Sequence, residues 1–95
     1  MSEQTFKLVV MVSGGGSNLQ ALIDAIDSQT LSAEIIAVIS NRKDAYALER
    51  AVLHQIPTHY APLKPYLADG RGREQYDIDL AKSIAELRPD LIVLA

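Results

Sequence analysis

Ser13, Gly14, Gly15, Gly16, Ser17 and Asn18 stand between an unbroken apolar run, Leu8 to Val12, and an amphipathic stretch that begins at Leu19. Glycines followed by hydroxyl and amide side chains at a helix start gather free backbone N–H groups and the positive end of the helix dipole, which suits an anion and above all a phosphate. A nucleoside triphosphate loop ends in Gly-Lys-Ser/Thr, whereas Gly16-Ser17-Asn18 has no lysine. A dinucleotide fingerprint needs a third glycine where Leu19 stands and an acidic residue after the second strand, where Ser40-Asn41 stands. Two readings remain. Either Gly16, Ser17 and Asn18 hold a phosphate monoester, or the segment is a tight strand-to-helix turn with Ser17 as an ordinary cap. The residues alone do not choose between them.

The other side chains with chemical potential are scattered. Arg73 opens the last helix, from where it can reach an anion at the sheet end or stay solvated. Arg42, Lys43 and Arg71 carry weaker claims. His54 falls near a helix end, where a cation suits the dipole, and His59 falls in a short strand. Asp77 and Asp79 are two apart on a helix, so they face different ways and do not form an acid–base pair. The absence of cysteine excludes a thiol nucleophile, a disulfide framework and a thiolate zinc cluster. No catalytic constellation and no metal site emerges.

The elements that must position these residues follow from periodicity. Strands are expected over Lys7 to Val12 and Glu34 to Ser40, where Leu8 to Val12 and Ile35 to Ile39 are continuously apolar, as strands buried on both faces require. Leu19, Leu22, Ile23 and Ile26 mark one face of a helix over about 18–28, with Ser17 and Gln20 at capping-box spacing. Asn41 to Asp44 is a polar turn with Asp44 as N-cap of a helix over about 45–54, which turns Leu48, Ala51 and Val52 inward. Ile56 to Tyr60 is a third strand, placed at an edge by Pro57. Ala61 to Gly72 has no clean period and reads as a long loop. A helix over 73–87 presents Tyr76, Leu80, Ile84 and Leu87 on one face, Pro89 stops it, and Leu91 to Ala95 is a fourth, buried-looking strand. The order β-α-β-α-β-α-β implies an α/β fold with a Rossmann-like parallel sheet, helices on both faces and ligands beyond the carboxyl ends of the strands.

Ninety-five residues make one small domain. An apolar fraction of 48%, a charged fraction of 22% and a net charge of −3 fit a globular protein with no basic surface for nucleic acid. The polar start, MSEQTFK, lacks the apolar core of a signal peptide, and the longest apolar runs are far too short to span a membrane, so a cytoplasmic location is expected. Ala95 ends the chain where a strand should lead into a site loop, and the expectation is the N-terminal part of a longer enzyme, truncated after the fourth strand.

SGGGSNLQALIDAI, VISNRKDAYALERA, IPTHY, REQYD and PDLIVLA together resemble the N-terminal half of the phosphoribosylglycinamide formyltransferases, from about Lys7 to Ala95. The resemblance implies the formyltransferase fold and transfer of a formyl group from 10-formyltetrahydrofolate, the cosubstrate, to the amino group of glycinamide ribonucleotide, with no metal. It implies that Gly16, Ser17 and Asn18 hold the ribonucleotide phosphate and that Arg73 touches the folate. The family's catalytic Asn, His and Asp have no positions here to be carried onto, so residues 1–95 are expected to form a binding part, inactive alone. The outer edge of the fourth strand is then expected to lack a partner, which leads either to self-association or to loss of order near the C-terminus. Rival expectations are formyltetrahydrofolate deformylase and a non-catalytic phosphate-binding α/β module.

Overall fold

The computed structural model describes residues 5–12, 15–43 and 45–95. The chain order is β1 (Phe6–Val12), α1 (Ser17–Asp27), β2 (Ala33–Ser40), α2 (Tyr46–Leu53), β3 (Thr58–Tyr60), α3 (Lys64–Ala68), α4 (Gly72–Leu87) and β4 (Leu91–Leu94). The sheet is four-stranded in the order β3-β2-β1-β4. All three of its strand pairings are parallel, as the alternating sequence requires.

Alternate residues of β1 face opposite layers. Leu8, Val10 and Val12 meet Leu19 and Ile23 of α1 and Ala47 and Ala51 of α2. Val9 meets Ile84 of α4, with Leu80 and Leu87 packed alongside. Continuous hydrophobicity along β1 is thus the signature of a strand sandwiched between helices. In β2 the pairing register shifts between Leu8 and Val9, so that Leu8 pairs with Ile35 but Val9 with Ala37. One extra residue reverses the parity of a strand. Ile35 and Val38 therefore share the first cluster, whereas Ala37 and Ile39 lie in the second. Burial of each such aliphatic side chain is worth roughly 1.5–3 kcal/mol.

Several local expectations change. Helix α1 begins at Ser17, so its N-cap is Gly16, at φ 83°, and no side chain caps it. The capping box is therefore not formed: Ser17 lies within the first turn, and the Gln20 amide donates to Asp24 Oδ1 instead, at 3.0 Å. Asp44 lies outside the described residues, and the N-cap of α2 is Ala45. In α2 Ala47 and Ala51 are buried and Leu48 packs against the same core as expected, while Val52 is 63% exposed. The segment read as a loop contains α3, which starts beside a proline at N1/N2, a position where the missing N–H costs nothing. Strand β3 is shorter than expected and lies at an edge of the sheet. Strand β4 is not buried: Leu91, Ile92 and Leu94 are exposed, because β4 pairs with β1 and ends the sheet order.

Candidate functional site

The site lies where the strands end. The first intrahelical bond of α1 runs from the Gln20 N–H to the Gly16 carbonyl at 2.8 Å. The N–H groups of Ser17, Asn18 and Leu19 precede it and have no acceptor within the helix. Ser17 and Asn18 are exposed, so both their backbone and side chains are open to a ligand. Ser13 and Gly14 lie outside the described residues.

Gly16 is held closely. A Cβ there would stand 2.7 Å from Ala47 Cβ and 2.8 Å from Ala47 Cα, with its φ of 83° an added obstacle. The small Ala47 on α2 is what lets the turn approach the second helix. Arg50, one turn further along α2, fixes the turn from the same side. Its Nε donates to the Gly15 carbonyl at 2.9 Å, and its Nη1 donates to Gln20 Oε1 at 3.1 Å. Its guanidinium also lies 4.7 Å from the centre of the Tyr46 ring. Sequence reasoning passed over Arg50. The available signal was the helical spacing that puts Tyr46, Ala47, Arg50 and Ala51 on neighbouring ridges.

On the other side, Arg73 sits in the first turn of α4. It lines a cleft of about 250 Å³ with Met11 and Val12 of β1, Asn41 after β2, and Leu94 and Ala95. This is the crevice at the carboxyl ends of the strands. The Arg73 side chain is 70% exposed, and its Nε is 4.0 Å from Asp77 Oδ1. Tyr76 anchors this turn of the helix by donating from its hydroxyl to the Ala61 carbonyl at 2.7 Å. Ala61 in turn donates its N–H to the Ser40 carbonyl at 2.8 Å, so α4 is tied to the ends of β3 and β2. Burial raises the Tyr76 phenol above its ordinary pKa.

The segment before α4 is a clasp. Tyr66 donates to Asp79 Oδ2 at 2.6 Å, and Gln75 donates to Asp79 Oδ1 at 2.8 Å. The Arg71 guanidinium lies 3.8 Å from the Tyr66 ring centre and pairs with Asp69 at 2.7 Å. Tyr66 meets Tyr76 edge to face at 5.4 Å. Hydrogen bonds from Tyr66 and then Gln75 hold the Asp79 carboxyl below its ordinary pKa, and the same Asp79 bond raises the Tyr66 phenol. Arg71 lowers Asp69 in the same way. A cleft of about 600 Å³ between β3, α3 and α4 is lined by this network. Arg71 is thus spent on Asp69 and Tyr66 rather than on the strand ends.

His59 lines that cleft, away from the glycine turn, and His54 is exposed at the end of α2. Asp77 pairs with Arg73, whereas Asp79 accepts from Tyr66, so the two carboxylates serve different partners. Among the described residues, no group of three or more His, Asp or Glu side chains could hold a metal ion, and no helix is long and apolar enough to cross a membrane.

Residues 6–95 match the family model described as formyl transferase. A phosphoribosylglycinamide formyltransferase from Schizosaccharomyces pombe is 48% identical over 93 residues, covering 93% of this chain and 45% of the relative. The solved phosphoribosylglycinamide formyltransferase from Coxiella burnetii, in complex with CHES, superposes with a TM-score of 0.87 at 46% identity, over 97% of this chain and 41% of that one. A formyltetrahydrofolate deformylase from Pseudomonas putida superposes at 0.80 with 25% identity, over 96% of this chain and 30% of that one. The chain therefore spans less than half the length of these relatives. With the parallel sheet, the glycine turn and the match over residues 6–95 in agreement, the chain belongs to the formyl transferase family.

Proposed function

We propose that the chain serves phosphoribosylglycinamide formyltransferase activity in purine biosynthesis, moving the formyl group of 10-formyltetrahydrofolate to the amino group of glycinamide ribonucleotide. The observation that carries this is the 48% identity to a phosphoribosylglycinamide formyltransferase across 93% of the chain. The deformylase reading has less support, with 25% identity and a TM-score of 0.80 against 46% and 0.87.

In this reading residues 1–95 form the N-terminal, ribonucleotide-binding part of the domain. The N–H groups at the start of α1, with the Ser17 hydroxyl and Asn18 amide, take the ribonucleotide phosphate. A phosphate there gains from the helix dipole and from donors that are already fixed by Arg50. Arg73, across the strand ends, meets the folate donor. Held in this way, the amine and the formyl carbon meet as they would in an intramolecular reaction, which lowers the barrier through orientation. Attack of the amine gives a tetrahedral oxyanion that needs hydrogen-bond donors and a proton acceptor. The Asn, His and Asp implied by the resemblance for those tasks have no counterparts in this chain, so its part is binding and orientation. No metal is called for, and the activity is placed in the cytoplasm.

Titration of glycinamide ribonucleotide into the protein, followed calorimetrically, tests the reading. Saturable binding is expected, weakened about tenfold or more when Asn18→Ala removes a donor to a charged group, worth roughly 1.5–3 kcal/mol. Unchanged affinity in Asn18→Ala would remove the phosphate assignment. Formyl transfer by residues 1–95 without any other chain would contradict the division of labour.

A further inference from the structure

We propose that Tyr76 is a positioning residue for the donor side of the crevice: its hydroxyl, bound to the Ala61 carbonyl, fixes where Arg73 stands. This deepens the function proposed above and rests on Arg73 meeting the formyl donor. Tyr76 lines both the Arg73 cleft and the cleft of about 600 Å³ behind it, so its ring is a wall between the two. The residue is only 7% exposed. Its one polar side-chain atom is engaged by Ala61 at 2.7 Å, so the hydroxyl acts on the crevice through the backbone it holds.

The first turn of α4 does not fix itself. The helix is entered through Gly70 and Gly72, at φ 84° and 77°, and no side chain caps it. In its second half Ile84 is buried, with Leu80 and Leu87 packed against Val9 and Ala37. In its first half Tyr76 alone is buried. Arg73 stands three residues before Tyr76, which puts the two on neighbouring turns of one side of the helix. The Arg73 side chain is 70% exposed and lies 4.0 Å from Asp77 Oδ1, an exposed pair that water leaves weak. Its place therefore follows from the backbone that carries it, and Tyr76 holds that backbone.

The hold reaches back to the sheet. The Ala61 N–H donates to the carbonyl of Ser40, at the end of β2, at 2.8 Å. Tyr76 closes the line on the same residue, so the carboxyl ends of β2 and β3 and the start of α4 are tied together. Asn41, next after Ser40, lines the Arg73 cleft from the β2 side. The Ser40 Oγ fixes that turn by donating to the Arg42 carbonyl at 2.9 Å and accepting from the Arg42 N–H at 3.0 Å. Without the Tyr76 hydroxyl the start of α4 is free to tilt, and binding groups are sensitive to displacements of about 1 Å. The glycine turn is insulated from such a tilt. Helix α1 packs with Leu8, Val10 and Val12, whereas α4 packs with Val9 on the other face of the sheet.

The test is a double-mutant cycle in the chain, with 10-formyltetrahydrofolate and glycinamide ribonucleotide titrated separately. Tyr76→Phe is expected to weaken donor binding about three- to tenfold, the range that one hydrogen bond carries, and to leave ribonucleotide binding unchanged. In the Arg73→Ala background the same change is expected to cost nothing further, because the hydroxyl acts through the arginine. Undiminished donor binding in Tyr76→Phe, equal losses for both ligands, or losses that add in the double variant would each overturn the proposal. A ligand-free comparison by NMR accompanies the cycle. The Arg73 amide is expected to shift in Tyr76→Phe while the Ser17 and Asn18 amides stay in place, and an unmoved Arg73 amide overturns the positioning itself. Donor binding indifferent to Arg73→Ala, together with a shifted Arg73 amide, would contradict the functional reading instead and leave the positioning of Arg73 standing.

Discussion

Gly16 and Arg50 do the same job by opposite means. The glycine yields space to Ala47, and the arginine reaches over to grip the turn through Gly15 and Gln20. Gly16→Ala puts a methyl group 2.7 Å from Ala47 Cβ at a positive φ, and a loss of about 1–3 kcal/mol is expected in chemical denaturation. An unchanged midpoint would mean that the turn is not held as described. Arg50→Ala is expected to cost about 1 kcal/mol, and also to weaken anion binding at α1, because the donors lose their fixed backbone. Binding that survives Arg50→Ala at full strength would show that the turn organises itself. The glycine turn was legible as a turn because it stands between the apolar run of β1 and the amphipathic α1. Arg50 was not, because its partners lie 30 and 35 positions away in the chain. The capping box failed for a related reason: Gly16 ends in a left-handed conformation, so the helix starts one residue before the spacing implied.

At the scale of elements, the strands and long helices were readable because each is either continuously apolar or one-sided. The short helix α3 was not. Five residues do not establish a period, and none of them is buried. It exists because Tyr66 and Arg71 tie it to α4. Its clasp is pH-sensitive in a definite direction. Asp79 is held below its ordinary 3.8, so the bond to Tyr66 contributes fully above that value and is lost as pH falls through the lower, folded pKa. Carbon-detected titration of the Asp79 carboxyl is expected to show the low pKa, and Tyr66→Phe to move it upward. An Asp79 carboxyl that titrates identically in both proteins would exclude the clasp.

The whole molecule is a slab, 49 × 28 × 17 Å, with a radius of gyration of 14.2 Å. A compact chain of this length would measure about 12 Å. At β4, Leu91, Ile92 and Leu94 are 58, 46 and 79% exposed. The hydrophobic run predicted a buried strand, and its composition still fits one; what the sequence could not convey is that, among the described residues, β4 pairs with β1 alone. An apolar edge of this kind invites pairing. Self-association is therefore proposed, and sedimentation velocity is expected to show mass rising with concentration and falling in Leu94→Lys. A monomer at every concentration would contradict it.

The central claim is that the start of α1 reads a phosphate on the ribonucleotide. The most direct measurement compares glycinamide ribonucleotide with the same compound lacking its 5′-phosphate, in the parent and in Ser17→Ala/Asn18→Ala. The account predicts that the parent binds the phosphorylated form at least about tenfold more tightly, a step of roughly 1.4 kcal/mol, and that the double variant loses that preference. Equal affinity for the two compounds in the parent, or a preference that persists in the double variant, would contradict it.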